Sequence, residues 1–173
     1  ELQDADCLVL FIRRLALPEQ QLDRVRKYVA DGGALVGLRT ASHAFDVRGK
    51  AEEGQAEWPD FDPEILGGGY NGHGPNDRGT DVANVPEQAD HPLLAGVEPA
   101  RWHSVGSLYY TTPVQADATV IMNGSLDDRV EPLTWFRTNR GGRTVYSGLG
   151  HPDDFQQPAF RQLLINAILW SMR

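Results

Sequence analysis

The residues of this chain whose types and spacing could do chemistry sit in three Gly-flanked tracts. The first is Gly37-Leu38-Arg39-Thr40-Ala41-Ser42-His43, directly after an apolar run. If that run is a strand, Arg39 lies at its carboxyl end, where α/β sheets bind ligands and where helix N-termini offer free N–H donors. Ser42 and His43 are adjacent and do not face one another, so they are not a nucleophile and its base. The bland reading is that Arg39 pairs with a loop carboxylate and Ser42 caps a short helix. The second tract, Gly67-Gly68-Gly69-Tyr70-Asn71-Gly72-His73-Gly74-Pro75-Asn76, lacks the strand, spacing and Lys of a phosphate loop. No cofactor is expected there; Asn71, His73 and Asn76 are instead groups that read sugar hydroxyls, with Tyr70, Trp58 or Trp102 as apolar faces. The third, Gly148-Leu149-Gly150-His151-Pro152-Asp153-Asp154, sets a His two residues before an Asp. Asp153 could orient the His151 imidazole for proton transfer, or simply cap a turn while His151 satisfies backbone groups.

Other imidazoles carry less. His91 before Pro92 reads as an N-cap, and His103 has no distinguishing neighbour. No HExxH or close His pair occurs, so no metal site is expected from local sequence; one assembled from His43, His73 and His151 would need the fold to bring them together.

The elements that must position these tracts come next. Cys7 to Ile12 is a continuous apolar run, the pattern of a strand buried on both faces. Pro18 opens a helix whose Leu22, Val25 and Val29 recur at helical spacing until Gly32-Gly33. A second buried run, Ala34 to Leu38, follows. Strand, helix and strand make a right-handed βαβ unit and place the chain in the α/β class. Residues 46–84 read as a loop-rich insertion, where a binding surface is expected. Thr80 to Val85, Leu108 to Thr112, Ala118 to Met122, Leu133 to Arg137 and Thr144 to Ser147 read as strands whose close spacing implies an antiparallel portion. Pro158 to Trp170 is an amphipathic helix.

The 173 residues, 19.1 kDa, suit a single domain able to bury its own core. A net charge of -8 has the wrong sign for a nucleic-acid groove or an anionic membrane surface, and no apolar run has the length of a membrane span. One cysteine, Cys7, excludes an internal disulfide and leaves the compartment open.

Three segments taken in order resemble the trehalose-utilisation (ThuA-like) family. They are Asp31-Gly32-Gly33-Ala34-Leu35-Val36-Gly37-Leu38-Arg39-Thr40-Ala41; then Gly67-Gly68-Gly69-Tyr70-Asn71-Gly72-His73; then Pro132-Leu133-Thr134-Trp135 through Gly142-Arg143-Thr144-Val145-Tyr146 and Leu149-Gly150-His151 to Asn166–Trp170. The resemblance implies a flavodoxin-like, class I glutamine amidotransferase-like fold: a mainly parallel sheet, helices on both faces and an antiparallel portion. It lays Gly37-Leu38-Arg39-Thr40-Ala41 on the Gly-x-Cys-x-Gly of the amidotransferase nucleophile and His151-Pro152-Asp153 on its His-x-Glu tract. A guanidinium stays protonated and cannot attack a carbonyl, so glutaminase activity is not expected. Many relatives carry His where Arg39 stands, and an acidic pair where Gly106-Ser107 precedes Leu108-Tyr109, so a general acid at that pair is lost.

The function expected is carbohydrate-linked: binding or transforming a sugar or oxidised sugar derivative, with His151, Asp153 and Arg39 as catalytic candidates and His73, Asn71, Ser42, His43 and Tyr109 contacting substrate. A non-catalytic sugar-binding or assembly module is the first alternative, a metal-dependent hydrolase the second. Because a buried strand needs neighbours on both sides, Cys7 to Ile12 further leads us to expect an upstream strand-helix unit in the full-length protein, its place here taken by another copy of the chain or by rearranged loops.

Overall fold

The structure is a computed structural model that describes residues 2–173. The expected βαβ unit is present. Strand β1 (Leu8–Leu10) is followed by a short β2 (Leu17–Pro18), helix α1 (Glu19–Ala30) and β3 (Leu35–Leu38). Pro18 stands just before α1 rather than inside it. The helix stops where Gly32 takes a left-handed φ of 82°, and Gly33 passes so close to the Tyr28 ring that a Cβ there would collide with it. α1 buries Leu22, Val25, Tyr28 and Val29, contributing roughly 1.5–3 kcal/mol for each large apolar side chain.

Strands β5 (Thr80–Asn84), β6 (Arg101–Ser104), β7 (Thr119–Leu126), β8 (Arg129–Asn139) and β9 (Gly142–Ser147) complete a seven-stranded sheet of order β1-β3-β9-β8-β7-β5-β6. β1, β3 and β9 are parallel; every pairing from β9 outward to β6 is antiparallel. The antiparallel portion is therefore larger than the sequence suggested. Helix α2 (Pro158–Ser171) covers one face. Its Ala159, Phe160, Leu163 and Ala167 pack with Val36, Leu38, Ile121, Leu133 and Val145. α1 covers the other face, where Leu35, Trp135 and Tyr146 meet Leu22, Val25, Phe45, Phe61 and Ile65. Alternate residues of β3 and β9 thus face two cores, which is why both strands read as unbroken apolar runs.

β1 is an edge strand: among the described residues only β3 pairs with it. Val9, Phe11 and Leu15 near this edge are exposed.

Two expectations change. Arg101–Ser104 is a strand that the sequence did not announce, because its Arg101 and His103 point to solvent at the sheet's far edge. Leu108 to Thr112 is not a ladder strand; its main chain pairs with the Gly-rich loop instead, Asn71 N–H to Tyr110 O at 2.8 Å, Tyr110 N–H to Gly72 O at 2.9 Å and Gly74 N–H to Leu108 O at 2.9 Å. Residues 46–84 hold β4 (Gln55–Ala56), paired with β2, and a π-helical turn, Asp62–Leu66, before β5 begins.

Candidate functional site

The parallel strands run in one direction, so the segments that leave them share one edge of the sheet. Arg13 and Arg14 follow β1, Arg39 follows β3 and His151 follows β9. At this edge lies a cleft of about 310 Å³ lined by Arg13, Arg14, Arg39, Thr40, His43, Arg48, Tyr70, His73, Asn76, Ser107 and Tyr109.

Arg39 begins the 3-10 turn Arg39–His43 with a φ of 41°, a left-handed conformation costing about 1–2 kcal/mol for a residue with a Cβ. Two hydroxyls hold it. Ser42 Oγ donates to the Arg39 carbonyl at 3.1 Å and Tyr146 OH donates to the same oxygen at 2.9 Å. Its guanidinium is fixed as well. Nη1 donates to the Gly148 carbonyl at 3.1 Å, Nη2 to Ser107 Oγ at 3.1 Å, and the carbon Cζ lies 4.4 Å from the centre of the Tyr109 ring. Every one of these partners is neutral, so no loop carboxylate cancels its charge.

His43 is 5% exposed, and its Nδ1 is buried without a hydrogen-bond partner. Burial, then the positive charges of Arg14, Arg13 and Arg48, push its pKa down to about 4, so the ring is neutral at pH 7. Tyr70 packs on it with ring centres 4.6 Å apart, and Tyr109 stands at 6.0 Å. His73 is exposed, and its Nδ1 lies 2.6 Å from the Gly74 carbonyl. A carbonyl only accepts, so Nδ1 carries a proton, and Nε2 is the ring nitrogen left to accept.

Of the residues singled out from the sequence, Arg39, His43, His73 and Tyr109 come together in the cleft. Ser42 lies beneath it, supporting Arg39 from within the core. Asn71 is turned away, its Nδ2 donating to the Thr112 carbonyl at 2.9 Å, while Asn76 of the same loop lines the cleft. His151 lies beside the cleft without lining it: a Cβ on Gly106 would touch both Arg39 Nη1 and His151 Cβ at 3.0 Å. Its Nδ1 accepts the Asp153 N–H at 3.2 Å and stands 3.8 Å from the Asp153 carboxylate, which is mostly exposed. The carboxylate that organises this loop is Asp154. It is buried, and it accepts from Ser104 Oγ at 2.6 Å, Gly150 N–H at 2.8 Å and His151 N–H at 2.9 Å. Among the described residues, no group of three or more His, Cys, Asp or Glu is placed to hold a metal ion, and His43, His73 and His151 form none.

Sequence reasoning passed over Arg13, Arg14 and Arg48. The signal for the first two was present, two arginines directly after a buried strand. It also passed over two buried carboxylates that shape the walls. Glu131, 2% exposed, accepts from the N–H groups of Thr111 and Thr112 at 2.9 Å each and so anchors the segment that carries Tyr109. Burial pushes its pKa up, but these hydrogen bonds outweigh burial and hold it below the usual carboxylate value. Asp62 accepts the N–H groups of Gly67 and Gly68 on its main-chain carbonyl, at the base of the loop that delivers Tyr70. Burial and the nearby Asp46 raise its carboxyl to about 8 against the opposing pull of Arg14.

The fold is a mixed α/β sheet with a strand-end turn at Arg39. A GMP synthase-type protein from Thermoplasma acidophilum, 15% identical, superposes with a TM-score of 0.58 over 96% of this chain and 73% of that one. The chain belongs to the ThuA family, trehalose utilisation, whose family model matches residues 1–171. A ThuA-like protein from Bacteroides uniformis is similar at 20% identity, with a TM-score of 0.74 over 98% of this chain and 70% of that one. Another from Parabacteroides merdae is similar at 18% identity, with a TM-score of 0.70 over 99% and 72%. No match was found among curated proteins. At these identities the structures speak to the fold alone; the family gives the chain a carbohydrate-related role. No helix among the described residues is long and apolar enough to cross a membrane.

Proposed function

We propose that the protein binds a sugar or an oxidised sugar derivative in the cleft at the ends of β1 and β3, and that it does not hydrolyse glutamine. The observation that supports this most is the composition of one cleft: the rings of Tyr70 and Tyr109 beside the hydrogen-bonding groups of Thr40, His73, Asn76 and Ser107. Apolar faces ringed by donors and acceptors suit a ligand with a C–H face and many hydroxyls. The family's link to trehalose utilisation points the same way. His73 Nε2 is the acceptor in this arrangement, able to take a hydrogen bond, or a proton, from a sugar hydroxyl. Arg39 in place of a nucleophile removes the acyl-transfer route.

Titration calorimetry with hexoses, disaccharides, keto-sugars and sugar acids tests the reading. Binding of at least one, lost in His73→Ala and Tyr109→Ala, is expected. Binding that survives both substitutions would move the site elsewhere. A second reading, a binding module without turnover, is favoured by His151, whose Nδ1 is occupied as a turn cap. Mass spectrometry of the bound sugars after incubation separates the two: product formed by wild type and not by His73→Ala identifies an enzyme.

A further inference from the structure

We propose that the ligand of this cleft is an acidic sugar, one whose carboxylate or phosphate group is held by Arg13, Arg14, Arg39 and Arg48. The inference rests on the reading above and adds the charge of the ligand to it.

Four guanidinium groups line a single cleft of a chain whose net charge is -8, and no carboxylate lines it with them. Their existing partners leave the charge largely uncancelled. Arg39 is bonded only to carbonyl and hydroxyl oxygens. Arg14 donates to the Asp46 carbonyl at 3.1 Å and meets the half-exposed Asp46 carboxylate at 3.5 Å, while its Nε is buried and unpartnered. Arg13 and Arg48 are exposed and form no ion pair among the described residues.

A second, independent feature points the same way. His43 is more than nine-tenths buried, lines the cleft, and has an unsatisfied Nδ1. A buried lone pair without a donor costs less than a buried N–H without an acceptor, which would place the proton on Nε2 and make the neutral ring a donor to the cleft. Donors dominate this wall: guanidinium groups, an imidazole N–H and the hydroxyls of Thr40 and Ser107. An oxyanion accepts from all of them, and planar guanidinium groups match its geometry. The opposite wall, with Tyr70, Asn76 and the His73 Nε2 acceptor, is left for the hydroxylated remainder. A cleft of about 310 Å³ is at the small end of ligand sites, in keeping with a single sugar ring.

The test is titration calorimetry of the whole chain with glucose, a keto-sugar, gluconate, glucuronate, a hexose phosphate and inorganic phosphate, at low and physiological salt. At least one acidic sugar is expected to bind about 10- to 100-fold more tightly than glucose, with affinity falling as salt rises. The sugar acids and the hexose phosphate tell the two anions apart. Because Arg13 and Arg48 are exposed, the double variant Arg13→Gln with Arg48→Gln keeps the fold. It should lose about 10-fold or more in affinity for the acid and lose part of the salt dependence. Glucose or the keto-sugar binding as tightly as every acidic sugar, or a double variant that binds the acid like wild type, overturns the inference and leaves the sugar reading standing. Inorganic phosphate binding as tightly as the hexose phosphate, or no sugar binding at all, overturns the sugar reading itself.

Discussion

Asp62 should lower stability at neutral pH, and Asp62→Asn should restore it. The side chain sits in a residue 9% exposed, and its carboxyl is raised from 3.8 to about 8, chiefly by burial and then by Asp46, with Arg14 pulling the other way. In the unfolded chain the group ionises near its ordinary value. In the folded protein it keeps its proton until about pH 8. Below pH 3.8 both states are protonated and Asp62 costs nothing. From there to about pH 8 only the unfolded state gains by ionising, so stability falls by about 1.4 kcal/mol per pH unit, and above pH 8 the loss is constant. The ceiling is therefore about 5–6 kcal/mol, as large as the whole stability of many domains. Local relaxation and water penetration reduce the penalty of a buried charge, and about 2–3 kcal/mol is the expected effect. Asparagine has nearly the same shape, cannot ionise, and leaves the main-chain carbonyl free to accept from Gly67 and Gly68. Urea unfolding of both proteins at pH 4, 6 and 8 is the assay. The curves should nearly coincide at pH 4 and separate progressively, the variant being the more stable at pH 8 with an unchanged denaturant slope. A difference that does not vary with pH, or a variant less stable at pH 8, would refute the reasoning.

His43 titrates with the opposite sign. Its folded ring is held near pKa 4 while the unfolded ring protonates at 6.5, so its contribution is whole above pH 6.5 and falls away toward pH 4, by about 3 kcal/mol in all. His43→Phe should unfold with a flatter pH dependence between pH 7 and 4, and an unchanged slope in urea titrations would contradict the burial argument. Arg39→Cys should release no ammonia from glutamine, because His151 Nδ1 already accepts the Asp153 N–H and no base stands ready for the thiol. Ammonia above the wild-type background in a coupled assay would show a competent imidazole.

α1, β3, α2 and the strands around Trp135 and Val145 could be read from the sequence because each buries an apolar run or stripe with one period, whereas Cys7 to Ile12 looked doubly buried and instead lies at an edge with Val9 and Phe11 exposed. β6 could not, since an edge strand with Arg101 and His103 facing water carries no such signal. Leu108 to Thr112 looks like a strand for a sound local reason, yet Gly72 and Gly74 take its hydrogen bonds, a tertiary choice that propensity does not encode. At the site, position after a strand was the informative signal: it found Arg39, and applied equally to β1 it would have found Arg13 and Arg14. Arg48 and the buried carboxyl of Asp62 come from the irregular stretch 46–84, where no period marks which side chains turn inward. His151 shows the limit of motif spacing. Its distance in sequence from Asp153 suggested a catalytic pair, and the same distance lets a backbone N–H reach the imidazole first.

The elbow at Arg39 links these observations. A strand-end turn with φ of 41° costs free energy whatever side chain it carries, and an arginine in an open loop would relax to a right-handed conformation. Here the turn is kept by Ser42 and Tyr146, two core hydroxyls that converge on the Arg39 carbonyl and contribute about 1 kcal/mol each. Those hydrogen bonds offset the cost, and the turn they keep sets the direction of the side chain. The guanidinium leaves the elbow toward Ser107, Gly148 and the Tyr109 ring, three neutral partners that fix its position and leave its charge to the cleft. The turn presents a permanent cation to whatever enters the cleft. The strained turn thus supports the binding reading: it keeps one charge at a fixed place, and a fixed charge selects among ligands where a mobile one would not.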